Sequence, residues 1–167
     1  CTVAVEAIRS PAQAEDMLKK CRQAVFVTVY ALPDLSVLSV QWDTGADTAV
    51  AAELQADAYG GDWHALLTSL FSAKIRKVGH HIKDTMRALL EQGLPAEGYV
   101  FDTALAAYLL DATAGSYDLQ RLFVAYFSEE LPKPAHLERD AFAPLGDTAA
   151  AWTALHSYCS AVAALYG

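Results

Sequence analysis

Apolar positions change their period along this chain, and each change marks an element. Thr2 to Ile8 alternates apolar and polar residues, the pattern of a strand. Ser10-Pro-Ala-Gln13 then predicts a capping box with proline at the first helical position. The helix it opens carries Glu15 and Asp16 early and Lys19, Lys20 and Arg22 late, matching the macrodipole. Ala24 to Tyr30 is almost wholly apolar and β-branched, as a central strand buried on both faces requires. Pro33-Asp34 turns the chain into Ser36 to Trp42, and Gly45 turns it again before Thr48 to Leu54. Three successive strands with short turns predict an antiparallel meander.

Beyond residue 60 the period becomes helical. Asp62 is placed to cap a helix whose Trp63, Leu66, Leu67, Leu70 and Phe71 recur at i, i+3, i+4, i+7 and i+8. Ile75 to Gly79 predicts a short strand. Ile82, Met86, Leu89 and Leu90 predict a helix closed by Gly93, with Pro95 just beyond. Tyr99-Val-Phe is a further short strand leading into a helix at 103–110. Ser116 is expected to cap a helix carrying Leu119, Leu122, Phe123 and Tyr126. Residues 128–146, with Pro132, Pro134 and Pro144, predict a long irregular segment, and a last helix is expected from about Asp147 to Tyr166. A meander followed by alternating helices and short strands is α/β: a mixed central sheet flanked by helices. No internal repeat or linker interrupts it, so 1–167 is expected to form a single domain.

The 167 residues suffice for a substantial core, and 54% apolar against 19% charged residues is a globular balance. No apolar run approaches the ~20 residues that span a bilayer. Residue 1 is Cys, so a piece of a longer protein is expected. Three widely spaced cysteines (1, 21 and 159) form no CxxC pair, which reads as reduced thiols rather than a disulfide framework. The net charge of −8 opposes tight autonomous nucleic-acid binding, but it is uneven. Lys74, Arg76, Lys77, Lys83 and Arg87 face Asp84 alone, so residues 74–87 carry +4 and the remainder −12. This stretch is a solvated flank or a contact for a nucleic-acid backbone.

The most specific residues are Lys77-Val-Gly-His-His-Ile-Lys-Asp-Thr-Met-Arg-Ala-Leu-Leu90 and Phe101-Asp-Thr-Ala-Leu-Ala-Ala-Tyr-Leu-Leu-Asp111. Together they resemble the second half of the 3'–5' exonuclease domain of bacterial DNA polymerase I, a family A polymerase. The resemblance covers most of the chain, most strongly Ile75 to Leu119. It implies a ribonuclease H-like fold. It also implies a two-metal nuclease site, in which carboxylates from several elements hold two divalent ions ~3.5–4 Å apart.

At the positions that match the family's acids, carboxylates are missing. The first motif aligns with Phe26-Val-Thr-Val-Tyr30, where Val27 and Val29 stand in the places of the acids. The second aligns with Val78 to Thr85 and places Thr85 at the acid, with Asp84 in an aromatic's place. The third, a Tyr followed four residues later by Asp, keeps Tyr158 and has Val162. Val162 also lies on the apolar stripe Trp152, Leu155, Cys159, Val162, Tyr166. Asp102 and Asp111 survive; the resemblance makes them helix caps rather than ligands, and Asp102 directly precedes the 103–110 helix. A cryptic site built from Asp84, Asp102 and Asp43 is the opposing expectation.

Other chemistry finds little support. His80-His81 lacks a partner spacing such as HExxH, and His156-x-x-Cys159 is at most half a zinc site. Gly-x-Ser-x-Gly and nucleotide-cradling glycine motifs do not occur. Trp63, Tyr108, Phe123 and Trp152 fall at core spacing.

The resemblance therefore implies a vestigial, catalytically inactive exonuclease domain. It would serve as a scaffold for the polymerase domain of the same chain in replication and repair. DNA would be met through the intact polymerase, in the bacterial cytoplasm, and magnesium is expected only in the absent polymerase domain. No cofactor, no membrane and a monomeric domain are expected here. The alternative is a free-standing module of degenerate nuclease fold that binds single-stranded nucleic acid or protein.

Overall fold

A computed structural model describes residues 2–133, 137–143 and 146–167. The chain forms six strands and six α-helices in the order β1 (Thr2–Ile8), α1 (Pro11–Gln23), β2 (Val27–Ala31), β3 (Val37–Gly45), β4 (Thr48–Gln55), α2 (Trp63–Leu70), β5 (Lys77–Gly79), α3 (Ile82–Glu91), β6 (Tyr99–Asp102), α4 (Thr103–Leu110), α5 (Leu119–Phe127) and α6 (Thr148–Tyr166). The capping box at α1 forms in both directions: Gln13 N–H donates to Ser10 Oγ, and Ser10 N–H donates to Gln13 Oε1. Asp62 and Asp147 accept from the third residue of α2 and α6 in the same way. The α5 helix differs from expectation. It starts at Leu119 with Asp118 as its first flanking residue, and Ser116 spends its hydroxyl on the Asp118 carboxylate instead of a helix N–H.

The strands make one mixed sheet, ordered β1-β4-β3-β2-β5-β6. β2, β3 and β4 are the antiparallel meander; β1 joins β4 in parallel, and β5 and β6 extend the other side in parallel to β2. Strand alternation sorts the two faces. On one face Val27, Val29, Leu38 and Val40 pack with Met17 and Cys21 of α1 and with Leu66, Leu67 and Leu70 of α2. On the other, Val78 packs with Leu119 and with Tyr158, Ala161 and Val162 of α6, and Tyr30 and Phe101 lie against them.

α6 is also fastened by polar bonds, because β3 turns Ser39 and Gln41 towards it. His156 Nδ1 shares a 2.6 Å hydrogen bond with Ser39 Oγ, and His156 Nε2 lies 2.8 Å from the Glu53 carboxylate of β4. Gln41 donates to the His156 carbonyl at 2.9 Å, and Ser160 donates to Gln41 Oε1 at 2.9 Å. Each of these groups has a partner, so the seam fixes the register of α6 without leaving a buried polar group unpaired.

The irregular 128–146 region contains a 3₁₀ turn, Arg139–Phe142, whose Phe142 packs with Ala151 and Leu155 of α6. Pro134 and Pro144 lie outside the described residues. Tyr108 departs from the core expectation: it is half exposed and meets Tyr117 edge-on at 5.6 Å.

Candidate active-site cleft

The motif residues surround a small cleft of about 170 Å³ where the C-terminal ends of β2 and β5 meet the start of α3. Tyr30, Gly79, His80, Asp84, Thr85 and Tyr99 are among its walls. Gly79 is required there: a Cβ would lie 2.7 Å from Ile82 Cγ2 and 2.9 Å from the Tyr99 ring. His81 enters α3 with φ of 52°, a left-handed conformation uncommon for residues other than glycine, though histidine adopts it more often than most.

Asp102 holds that turn in place. One of its oxygens accepts from His81 N–H at 3.1 Å and the other from Ile82 N–H at 3.0 Å. The first oxygen also accepts from Ala104 N–H (2.9 Å) and Leu105 N–H (3.4 Å). A single carboxylate thus serves the N-termini of α3 and α4, which confirms the capping expectation and leaves Asp102 committed to backbone. Asp111 caps a turn in a similar way, accepting from both the amide and hydroxyl of Thr113.

His80 sits deeper. Thr103 Oγ1 lies 2.7 Å from its Nδ1 and itself donates towards the Gly79 carbonyl at 3.4 Å, which assigns the ring proton to Nδ1. His80 Nε2 is buried without a hydrogen-bond partner among the described residues. Burial, then the neighbouring His81 ring, depresses the His80 pKa to about 4; Asp102 and the Tyr117 carbonyl act the other way and do not compensate. His80 is therefore a neutral, structural part of the cleft wall, with His81 beside it.

Of the four positions that the motifs match to acids, the structure brings Val29 and Thr85 to the cleft, while Val162 packs between α6 and the sheet. Tyr158 and Val162 face the sheet from α6, whereas Val27 and Val29 point to the α1–α2 side. The residues of β2 turned towards α6 are Thr28 and Tyr30; the Tyr30 and Tyr158 rings meet edge-on at 5.5 Å. Val29, although its side chain packs on the α1–α2 side, lines the cleft together with Tyr30 and Thr85.

Tyr158 donates to the Pro132 carbonyl at 2.6 Å and accepts from Gln120 Nε2 at 3.0 Å, so its hydroxyl is occupied. Burial raises the pKa of Tyr158, and burial together with Tyr158 pushes Tyr30 up to about 12. Thr85 and Asp84 both line the cleft, so an offset of one residue along α3, about 100° of rotation, leaves Asp84 at its wall. Asp84 is exposed and lies 4.0 Å from Arg87. Asp43 stays in β3, paired with Ala49, at the opposite end from the cleft: Thr28 pairs with Gln41 and Ala31 with Leu38, so Asp43 lies past the start of β2. Asp84, Asp102 and Asp43 do not converge. Among the described residues no group of three or more His, Cys, Asp or Glu is disposed to hold a metal ion.

Lys77 is the clearest correction to the basic stretch. It is fully buried, with Nζ donating to the carbonyls of Ser72 (3.0 Å) and Ile75 (2.7 Å) and resting between the Phe71 and Tyr99 rings. Alternation in β5 decides this: Val78 faces α6, so Lys77 must enter the opposite core. Gly98 leaves room for it, since a Cβ there would lie 2.5 Å from Nζ. Burial lowers the Lys77 pKa to about 8. Lys74, Arg76, Lys83 and Arg87 remain exposed. The zinc half-site is also excluded. His156 is engaged by Ser39 and Glu53, and the buried Cys159 thiol donates to the Thr28 and Ser39 carbonyls, its pKa pushed up to about 12 by burial.

A mixed sheet with a meander, a cleft at the ends of its central strands and a closing helix defines a nuclease-type α/β fold. Similar architectures occur in the POL domain of Pol1 from M. smegmatis, in a complex with DNA primer-template and dNTP (23% identity, TM-score 0.69), and in Escherichia coli RNase D, an exoribonuclease (15%, 0.70). The EXO domain of Aedes aegypti Nibbler is a third (12%, 0.66). These matches cover 95%, 97% and 96% of this chain and 26%, 44% and 88% of the other chains, respectively. The family model for the 3'-5' exonuclease of A-type DNA polymerases matches residues 6–155, and the chain belongs to that family. It spans about a quarter of the M. smegmatis polymerase chain. Among the described residues no helix is long and apolar enough to cross a membrane.

Proposed function

We propose that this chain is a vestigial 3'-5' exonuclease domain that binds no catalytic metal and hydrolyses no phosphodiester. The observation that carries the proposal is the set of residues at the motif positions: Val29 and Thr85 line the cleft, Tyr158 and Val162 pack between α6 and the sheet, and none of them is a carboxylate. Two divalent ions need several converging carboxylates, and the exposed Asp84 alone cannot hold them. Val162 packs among Val78, Leu119 and Tyr158, an apolar setting hostile to a dication.

On this reading the domain is a structural part of a DNA-directed DNA polymerase that acts in replication and repair in the cytoplasm. Its partner is the polymerase domain of the same chain, which supplies the magnesium-dependent nucleotidyl transfer and most of the contact with DNA. The family match and the likeness to the M. smegmatis polymerase support the assignment. A titration with manganese, followed by water proton relaxation, tests the empty site. No saturable binding in the micromolar to low-millimolar range is expected; stoichiometric binding weakened by Asp84→Ala would overturn it.

The second reading, a module that binds single-stranded nucleic acid, rests on the exposed Lys74, Arg76 and Lys83. A shift of labelled single-stranded DNA that weakens steeply with salt would support it.

A further inference from the structure

The α6 layer does not extend across the whole sheet. It packs on β2, β3 and β5 and reaches β4 through the His156–Glu53 contact, but leaves the same face of β1 open. Val3 and Val5 of β1 are consequently 44% and 57% exposed. They floor a groove of about 580 Å³, with Phe123 and Leu131 on its far wall and Glu129 and Glu130 beside them. No Lys or Arg lines this groove.

β1 is also the end of the sheet. Among the described residues it pairs with β4 alone, residue for residue from Thr2 to Ile8, without a bulge. Of the devices that protect an edge strand it carries one charge, Glu6, and no proline, lysine or irregularity. A row of backbone N–H and C=O groups is thus presented beside an apolar groove with an acidic rim.

We propose that an extended segment of a partner protein, with lysine or arginine flanking alternate apolar residues, adds to the outer edge of β1 as a seventh strand. Main-chain hydrogen bonds to Thr2–Ile8 hold it, as in other strand additions. Every second side chain continues the floor made by Val3 and Val5, and the flanking cations approach Glu129 and Glu130. Charge selects the occupant. A second copy of this chain would bring Glu6 and a surface of net −12 outside residues 74–87 against the same acids. This inference is independent of whether the cleft is catalytically empty.

The test uses the 167-residue chain, uniformly labelled with ¹⁵N, and a fluorescent heptapeptide of alternating valine and threonine with a lysine at each end. Amide shifts confined to Thr2–Ile8 and the groove walls are expected, with a matching rise in anisotropy. Replacing both lysines with glutamates should weaken binding about tenfold or more. N-methylation of alternate peptide amides, in the phase that faces β1, should abolish it. In the double variant Glu129→Lys, Glu130→Lys the preference between the two peptides should reverse, while the dispersed amide spectrum reports that the fold is kept. No binding at millimolar peptide, shifts elsewhere, equal affinity for both peptides or indifference to N-methylation in both phases would each overturn the proposal. Concentration-dependent broadening of Thr2–Ile8 without peptide would overturn it in favour of self-association.

Discussion

Asp102 accepts the Ile82 N–H at 3.0 Å with one carboxylate oxygen while the other receives His81, Ala104 and Leu105. Helix capping therefore accounts for this carboxylate. Asp102→Ala removes the cap of two helices and leaves the left-handed His81 unsupported. A loss of about 2–3 kcal/mol in denaturant unfolding is expected. Asp102→Asn, which retains an acceptor, should lose less. Equal stability of all three proteins would contradict the capping role.

Lys77 makes stability depend on alkaline pH. Its folded pKa of about 8 lies below the ordinary 10.5, so between these values the unfolded chain binds more protons than the folded one. Stability attributable to Lys77 therefore rises as pH goes from 8 to 10.5. Lys77→Met removes this dependence but also strips the Ser72 and Ile75 carbonyls of a donor. The stability difference, wild type minus variant, should grow by up to about 3 kcal/mol across that range. A flat difference would mean that Nζ is better solvated than its cage implies.

His80 acts at the acid end. Its folded pKa of about 4 lies below the ordinary 6.5, so the unfolded chain takes up the proton first. Its contribution to stability is complete above pH 6.5 and is lost as pH falls towards 4. Imidazole carbon shifts should keep His80 neutral at pH 5; a titration near 6.5 would show that the buried Nε2 reaches water.

The face assignment of β2 has its own test. Val29→Glu drives a carboxylate into the core shared with α1 and α2 and should cost several kcal/mol, enough to raise its pKa or unfold the chain. Tyr30→Glu, at a half-buried position lining the cleft, should be tolerated better. The reverse ranking would contradict the packing of Val29 against α1 and α2.

These outcomes bear on how far the residues alone disclose the molecule. The capping box at Ser10, the Asp62 and Asp147 caps and the β2–β4 meander were legible because each depends on local chemistry. The burial of Lys77 was not, since a cation flanked by Arg76 and Lys74 reads as surface until strand alternation and the space beside Gly98 are known. Parity in β2 was equally hidden: a strand buried on both faces carries no polar alternation to reveal which side meets α6. The Ser39–His156–Glu53 seam joins positions over a hundred residues apart, beyond any local pattern.

The central claim is that the cleft performs no hydrolysis. The purified chain incubated with a 3'-labelled single-stranded oligonucleotide, in magnesium or manganese and with a chelated control, tests it most directly. No chelator-sensitive release of mononucleotides is predicted at any enzyme concentration. Release that persists through further purification and is abolished by Asp84→Ala would contradict the account and show that the domain still proofreads.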